Sequence, residues 1–262
     1  MLQSLAGVRS WSGERYIEGM MNSPVAKRSR AIDRAGPSRK YQATGDRKPR
    51  DERWAQLLQV AAEVFAEKGY DGTSLQELAT RTGILKGSIY YYITTKEELL
   101  AHLIRETNEK GLAQIQPIAE GAGNPIERLA GMISAHIRYV CTERERTAVF
   151  IRESKRLTPQ LRKEYLGDEH AYRNLFQKVI AEGRQAGLIH HAVDPKLAAL
   201  CLLGSLNSLY DWYRPSGGFP IKAIAEHFAM TALSGMTTER GDSAAKSMRT
   251  QNTRKRAPAT AA

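Results

Sequence analysis

Only two cysteines, Cys141 and Cys201, occur in the 262 residues. Each has apolar neighbours and neither has a paired ligand spacing, so a disulfide framework and a zinc site both lack their residues. Two buried, reduced thiols are the plain reading. No apolar run approaches the roughly 20 residues that a helix needs to cross a bilayer. The longest candidate, 197 to 210, is broken by Gly204, Ser205, Asn207 and Ser208, so no membrane span is expected. The six histidines, at 102, 136, 170, 190, 191 and 227, are scattered. No carboxylate pair, nucleophile motif, glycine-rich phosphate loop or HExxH spacing joins them. An enzyme is therefore not expected, nor is a metal or a cofactor. Strand-like alternation of useful length is missing too, which leaves a helical chain.

A net charge of +11 invites a nucleic-acid partner, but its location matters more than its size. Residues 1–50 hold 11 Lys and Arg against 4 Asp and Glu, and residues 237–262 hold 6 against 2. The basic surplus thus belongs to the two ends, and 51–236 is neutral overall. The first fifty residues are rich in Ser, Gly, Arg and Lys, carry Pro24, Pro37 and Pro49, and show no sustained period, so they are expected to be a disordered basic extension. Glu14 and Glu18 argue against a transit peptide, and a secretory signal lacks its apolar core. An over-extended start, with Met20 or Met21 as the first residue, is an equal alternative. The end from Thr237 is expected to be a second disordered basic tail.

Between the ends the period is helical. Trp54, Leu57, Leu58, Ala61, Val64 and Phe65 recur at three and four residue steps, and Gly69 offers a left-handed stop. Ser74 with Glu77 has the form of a capping box that opens a short helix ending near Gly83. A third short helix is expected from about Leu85 to Ile93. Thr95 caps a longer fourth helix, expected to be interrupted at Gly111 and Pro117. Later starts place a proline at the first helical position after Asn124, Thr158 and Asp194, and at Pro220. About nine helices are expected in all.

The stretch FAEKGYDGTSLQELATRTGILKGSIYYYITTKEELL, Phe65 to Leu100, carries the functional signal. Two short helices joined by a tight turn at Arg81 to Ile84, on a longer preceding helix, make a helix-turn-helix, whose second short helix can lie in a major groove. Lys86 and Ser88 then sit where base edges can be reached. Tyr90, Tyr91 and Tyr92 offer hydroxyls for phosphates and ring faces for thymine methyls. Ile84, Ile89 and Ile93 would hold the other face to the core, and a Tyr run on a short helix serves packing as readily as recognition. This stretch resembles the DNA-binding domain of the TetR family of bacterial repressors. Gly83, Gly87, Ser88, Ile89, Tyr90, Tyr92, Lys96 and Leu99 meet that pattern, while Ile93, Leu85 and Lys86 depart from it. The resemblance implies phosphate contacts at Thr73 and Lys96, at two helix N-termini, and groove-facing positions at Gln76, Lys86, Ser88, Tyr90 and Tyr91.

It further implies an all-α fold: a helix-turn-helix domain over 51–96, then a ligand-binding and dimerisation domain over 97–236. The homodimer would form through the last two helices, 195–213 and 221–235. The first of these carries apolar residues on more than one face, including Leu197, Leu200, Leu203 and Trp212. Segments 150–165 and 206–220 resemble the ligand domains of TetR-type regulators of fatty-acid and sterol catabolism, several of which respond to acyl-coenzyme A thioesters. On that resemblance Arg152, Lys155, Arg156, Arg162 and Lys163 would meet coenzyme A phosphates, and Phe150, Leu175, Phe176, Val179 and Trp212 would line an acyl tunnel. The alternative is that these bases pair with Glu145, Glu153 and Glu164 on a solvated face. The expected function is a cytoplasmic, nucleoid-associated bacterial repressor. It would bind a palindromic double-stranded DNA operator and be released when a small-molecule effector shifts the fourth helix. The alternative is an architectural DNA binder without an effector.

Overall fold

The computed structural model describes residues 50–166 and 170–243; the expected extension over 1–50, except Arg50, which opens a helix, and most of the expected tail lie outside them. The described residues are helical, with no strand among them and one isolated antiparallel bridge, Ile189 to Thr237. The first helix, α1 (Arg50–Lys68), buries Trp54, Leu57, Leu58, Ala61, Ala62, Val64 and Phe65 on one stripe. Acidic Asp51 and Glu52 at its start and Lys68 at its end complement the helix dipole. It stops at Gly69, whose φ of 77° is left-handed and whose N–H reaches the Phe65 carbonyl at 2.9 Å.

Two short helices follow, α2 (Leu75–Thr82) and α3 (Lys86–Ile89). The third element is shorter than its sequence pattern implies: four α-helical residues, then single turns in which the Tyr91 N–H reaches the Ser88 carbonyl and the Tyr92 N–H that of Ile89. Then comes α4 (Lys96–Ala119), capped by the Thr95 hydroxyl on the Glu98 N–H at 3.0 Å. The expected interruption does not occur. Gly111 is buried where a side chain has little room: a Cβ there would stand 3.2 Å from Tyr172 Cε2 and 3.4 Å from Tyr139 Cε1. Pro117 falls in the last turn, where its missing N–H costs one bond rather than a run of them.

Proline starts recur as expected. Asn124 caps α5 (Pro125–Thr142) in a complete capping box with Glu127, and Asp194 caps α9 (Pro195–Asn207) on the Leu197 N–H at 2.8 Å. Between them lie α6 (Arg144–Glu153), a 3₁₀ turn (Ser154–Arg156), α7 (Pro159–Leu166) and α8 (Ala171–Gln185). The apolar stretch 195–213 is not one helix. It breaks at Ser208, leaving α10 (Leu209–Trp212) as a separate turn, before α11 (Ile221–Ser234). Pro220 caps α11 rather than starting it.

Residues 237–243 are ordered, contrary to a solvated arm beginning at 237. Thr237 is buried with its hydroxyl on the Leu233 carbonyl, the Thr238 N–H reaches Leu188, and a helical turn begins at 239.

Two apolar clusters form. One gathers Ile115, Ile126, Ile133, Phe176, Val179, Leu202, Leu206 and Leu233 from α4, α5, α8, α9 and α11. The other is built on α1 to α3, but also takes Leu99, Leu100, Leu103 and Ile104 of α4, Val149 of α6, and Leu157. Each such fully buried aliphatic or aromatic side chain contributes about 1.5–3 kcal/mol on leaving water. The boundary read at residue 96 therefore cuts through a core: α4 belongs to both clusters.

Candidate nucleic-acid interface

The turn between α2 and α3 is fixed by backbone chemistry. Gly83 adopts φ 72°, and its N–H and that of Ile84 satisfy the Ala79 and Thr80 carbonyls left over at the end of α2. The side chain of Ser74 accepts from the Glu77 N–H at 3.1 Å. The other half of the expected capping box is not made, because the Glu77 carboxylate turns to Lys68 and Arg81. These contacts, the Lys68 hydrogen bond first, hold that carboxyl below its ordinary pKa. Helix α2 is thereby tied to the end of α1, and α3 leaves the turn at a set angle.

On α3, Ile89 and the following Ile93 are fully buried and Ile84 is partly so, as their positions imply. The opposite face is open. Lys86, Gly87 and Ser88 are exposed, and Tyr90 and Tyr91 keep 49% and 54% of their surface in water. Large aromatic side chains left so exposed beside each other, on an element held this firmly, are what a reading surface needs. Arg50 covers the Tyr91 ring, 4.9 Å from its centroid. Tyr92 takes the packing role instead, stacked on Trp54 with centroids 5.6 Å apart. Gln76 is exposed on α2.

The two phosphate-binding positions expected from resemblance face inward. Thr73 is 2% exposed, and its hydroxyl donates to the Gly69 carbonyl at 2.9 Å. The Lys96 ammonium donates to the carbonyls of Tyr70 and Thr73, both at 2.7 Å, and lies 4.2 Å from the Tyr70 ring centroid. Both bonds and the ring contact tie the ammonium to the α1–α2 turn, so in this conformation both residues hold that turn.

The expected effector residues are not gathered in one place. Phe176 and Val179 are fully buried together in the C-terminal cluster, with Leu175 packed against it. Trp212 is 44% exposed, parallel to Phe228 and bonded through Nε1 to the Ser208 hydroxyl. Phe150 packs against the N-terminal cluster. Of the acids the sequence offered these bases, Glu153 pairs with Arg156. Arg152 donates to the Ala66 carbonyl of α1 and covers the Tyr210 ring at 5.2 Å. Arg156 meets Asp71 at 2.8 Å as well as Glu153, and the Arg162 guanidinium donates to the Ser154 carbonyl.

Sequence reasoning missed Arg146. It is buried on α6, bonded to Gln59 of α1 at 3.3 Å and facing Glu106 of α4 and Glu143, each at 3.5 Å. Arg146, Arg152 and Arg156 thus tie α6 and its extension to α1 and the α1–α2 turn. A six-residue step from Arg146 to Arg152 does not keep one helical face, so no spacing announced this. It also missed His102. Burial between Trp54 and Tyr165 lowers its pKa to about 4, so the ring is neutral near pH 7.

The model for bacterial regulatory proteins of the tetR family matches residues 57–103, and that for the tetracycline repressor-like C-terminal domain matches 122–236. The chain is 28% identical over 188 residues to the transcriptional repressor KstR2 of Mycobacterium tuberculosis, covering 71% of this chain and 94% of that one. The KstR2 structure superposes with a TM-score of 0.67 over 74% of this chain and 98% of the other. A TetR/AcrR-family regulator from Thermobifida fusca is 33% identical, covering 70% and 98%, with a TM-score of 0.55. AibR, in complex with isovaleryl coenzyme A and operator DNA, is 26% identical, covering 68% and 97%, with a TM-score of 0.63. With its reading helix, its turn and both its domain models in agreement, the chain belongs to the TetR family of transcriptional regulators.

Proposed function

We propose that this regulator is a repressor that binds a palindromic operator as a homodimer and is released by an acyl-coenzyme A thioester. The observation that carries the reading is the α3 surface: Lys86, Ser88, Tyr90 and Tyr91 stand exposed together on an element whose other face is buried. Gln76 joins them from α2, and phosphates are taken by backbone N–H groups at the helix starts. The dimer forms through α9 and α11. Leu197, Leu200, Gly204 and Cys201, which is exposed where a buried thiol was expected, share one exposed face of α9, and Ala223, His227, Met230, Thr231 and Ser234 share one of α11. Small residues among large apolar ones let helices of two copies approach closely, and a two-fold axis suits a palindrome.

AibR, a structural relative, has been captured with a coenzyme A thioester and DNA, which supports the effector class. The placement of Arg152 and Arg156 supports a route for release. Both hold the DNA-reading part through acceptors that an anionic ligand would compete with for the guanidiniums, the Ala66 carbonyl and the Asp71 carboxylate. Phosphates that draw these guanidiniums away loosen α6 from α1. By linkage, DNA must then weaken thioester binding by the same factor.

The test is a mobility shift at fixed salt on fragments of the gene's own upstream region, with palmitoyl-coenzyme A added in a second series. Wild type should bind one palindrome and be released by the thioester. Tyr91→Ala should weaken binding about 10- to 100-fold, the size of a lost base contact. Binding that ignores Tyr91 and sequence alike would leave a basic protein adhering to DNA and would refute the reading.

A further inference from the structure

Among the described residues, a histidine beside the C-terminal cluster has one ring nitrogen without a partner. His136 of α5 is 5% exposed and meets the Tyr172 hydroxyl of α8 through Nδ1 at 2.8 Å, but its Nε2 is buried without a hydrogen bond. With the partly buried Tyr172 phenol donating to Nδ1, the ring carries its own proton on Nε2. An orphaned N–H donor is thereby left in an apolar core, walled by Phe176 edge-on at 6.4 Å. Asn207, the last residue of α9, is near enough to favour the protonated ring but does not close the bond. Leaving such a donor unmade is costly, and native cores rarely tolerate it without a reason. No charged side chain among the described residues bears on the ring, so the site is unsuited to a carboxylate and suited to a neutral acceptor.

We propose that His136 Nε2–H, presented by the Tyr172 hydroxyl on Nδ1, donates to the carbonyl oxygen of the effector's otherwise apolar acyl part. The inference rests on the reading of the chain as a ligand-released regulator and names the polar feature by which the ligand is read. The same contact reaches the DNA-reading part. Tyr172 lies against Gly111 of α4, and Tyr139 beside it donates its hydroxyl to the Thr107 carbonyl of the same helix at 2.8 Å. A ligand oxygen that shifts His136 and Tyr172 moves the rings packed on the bare stretch of α4, whose first half lies in the N-terminal core.

The experiment has two arms on the full chain. Histidine-selective ¹⁵N NMR reads the tautomer directly. An Nε2–H ring at His136 is expected, and an Nδ1–H ring overturns the proposal before any ligand is added. Titration then compares palmitoyl-coenzyme A with S-hexadecyl-coenzyme A, which differ by the carbonyl alone. Wild type should prefer the thioester about tenfold, the size of one net hydrogen bond. His136→Phe should lose the preference, and His136→Gln, which keeps an N–H donor, should retain part of it. Equal binding of the two probes by wild type, or discrimination that survives in His136→Phe, overturns the proposal. If neither probe binds, the acyl-thioester effector fails, and dodecan-2-one decides for His136. A shift of the Nε2–H signal by this ketone upholds the carbonyl donor, and no shift overturns it.

Discussion

Lys96 offers a direct contest between two physical roles. Replacing it with Met keeps most of the stem and removes the ammonium. The structure assigns that group two short bonds to the Tyr70 and Thr73 carbonyls and a position over the Tyr70 ring. A hydrogen bond to a charged group contributes about 1.5–3 kcal/mol net. The two share one donor group on a half-buried residue, so their loss together is worth roughly 2–4 kcal/mol rather than the full sum. For a folded unit of this size, about 2–4 °C accompanies each kcal/mol, so the melting midpoint should fall by roughly 5–15 °C. Differential scanning fluorimetry reads this, and mobility shifts across a salt series supply the second axis. A residue that neutralises a phosphate would flatten the plot of log K against log salt by about 0.9 when removed. A residue that holds the turn leaves the slope alone, whatever happens to affinity. An unchanged midpoint together with a slope shallower by about one would refute the scaffold assignment.

Three further outcomes follow from the geometry. Gly83→Ala meets no atom within 4 Å, so only its left-handed φ of 72° resists; urea denaturation should show a loss of about 1–2 kcal/mol. Gly111→Ala sets a helix-propensity gain of about 1 kcal/mol against overpacking of about 1–3 kcal/mol on Tyr172 and Tyr139; a net loss of stability and altered ligand release are expected, and a stabilised variant would mean the rings give way freely. Burial lowers the pKa values of His102 and His136 from 6.5 to about 4. The unfolded chain therefore binds more protons between those limits, so the urea midpoint should fall as pH drops from 6.5 towards 4 and stop responding to these rings below it.

What the sequence made legible was local. Ser74, Gly83, Thr95, Asn124 and Asp194 act within four residues of themselves, and each does what its position implies. Tyr90 and Tyr91 were readable because Ile89 and Ile93 beside them obey a helical period. The rest needed partners far along the chain. Lys96 bonds carbonyls 26 and 23 residues away, and no side-chain pattern reports a backbone acceptor. Arg146 and Arg152 reach α1 across 87 and 86 residues, and for Arg152 the nearer acids looked like partners. Gly111 reads as a helix breaker until Tyr139 and Tyr172 are seen to fill the space a side chain would need. The apolar run over 195–213 gave no sign of its break at Ser208.

The sharing of α4 between two cores bears on how such regulators can be recombined. A reader cut out at residue 96 would lose Leu99, Leu100, Leu103 and Ile104, together with Val149 and Leu157, and would expose the undersides of Leu57, Leu58 and Phe65. Grafting a new operator preference onto another sensor therefore requires a crossover beyond Ile104, with the facing surface of α6 and the residues after it brought along. The unit of exchange is larger than the motif that reads DNA, and it is defined by a shared core rather than by a linker.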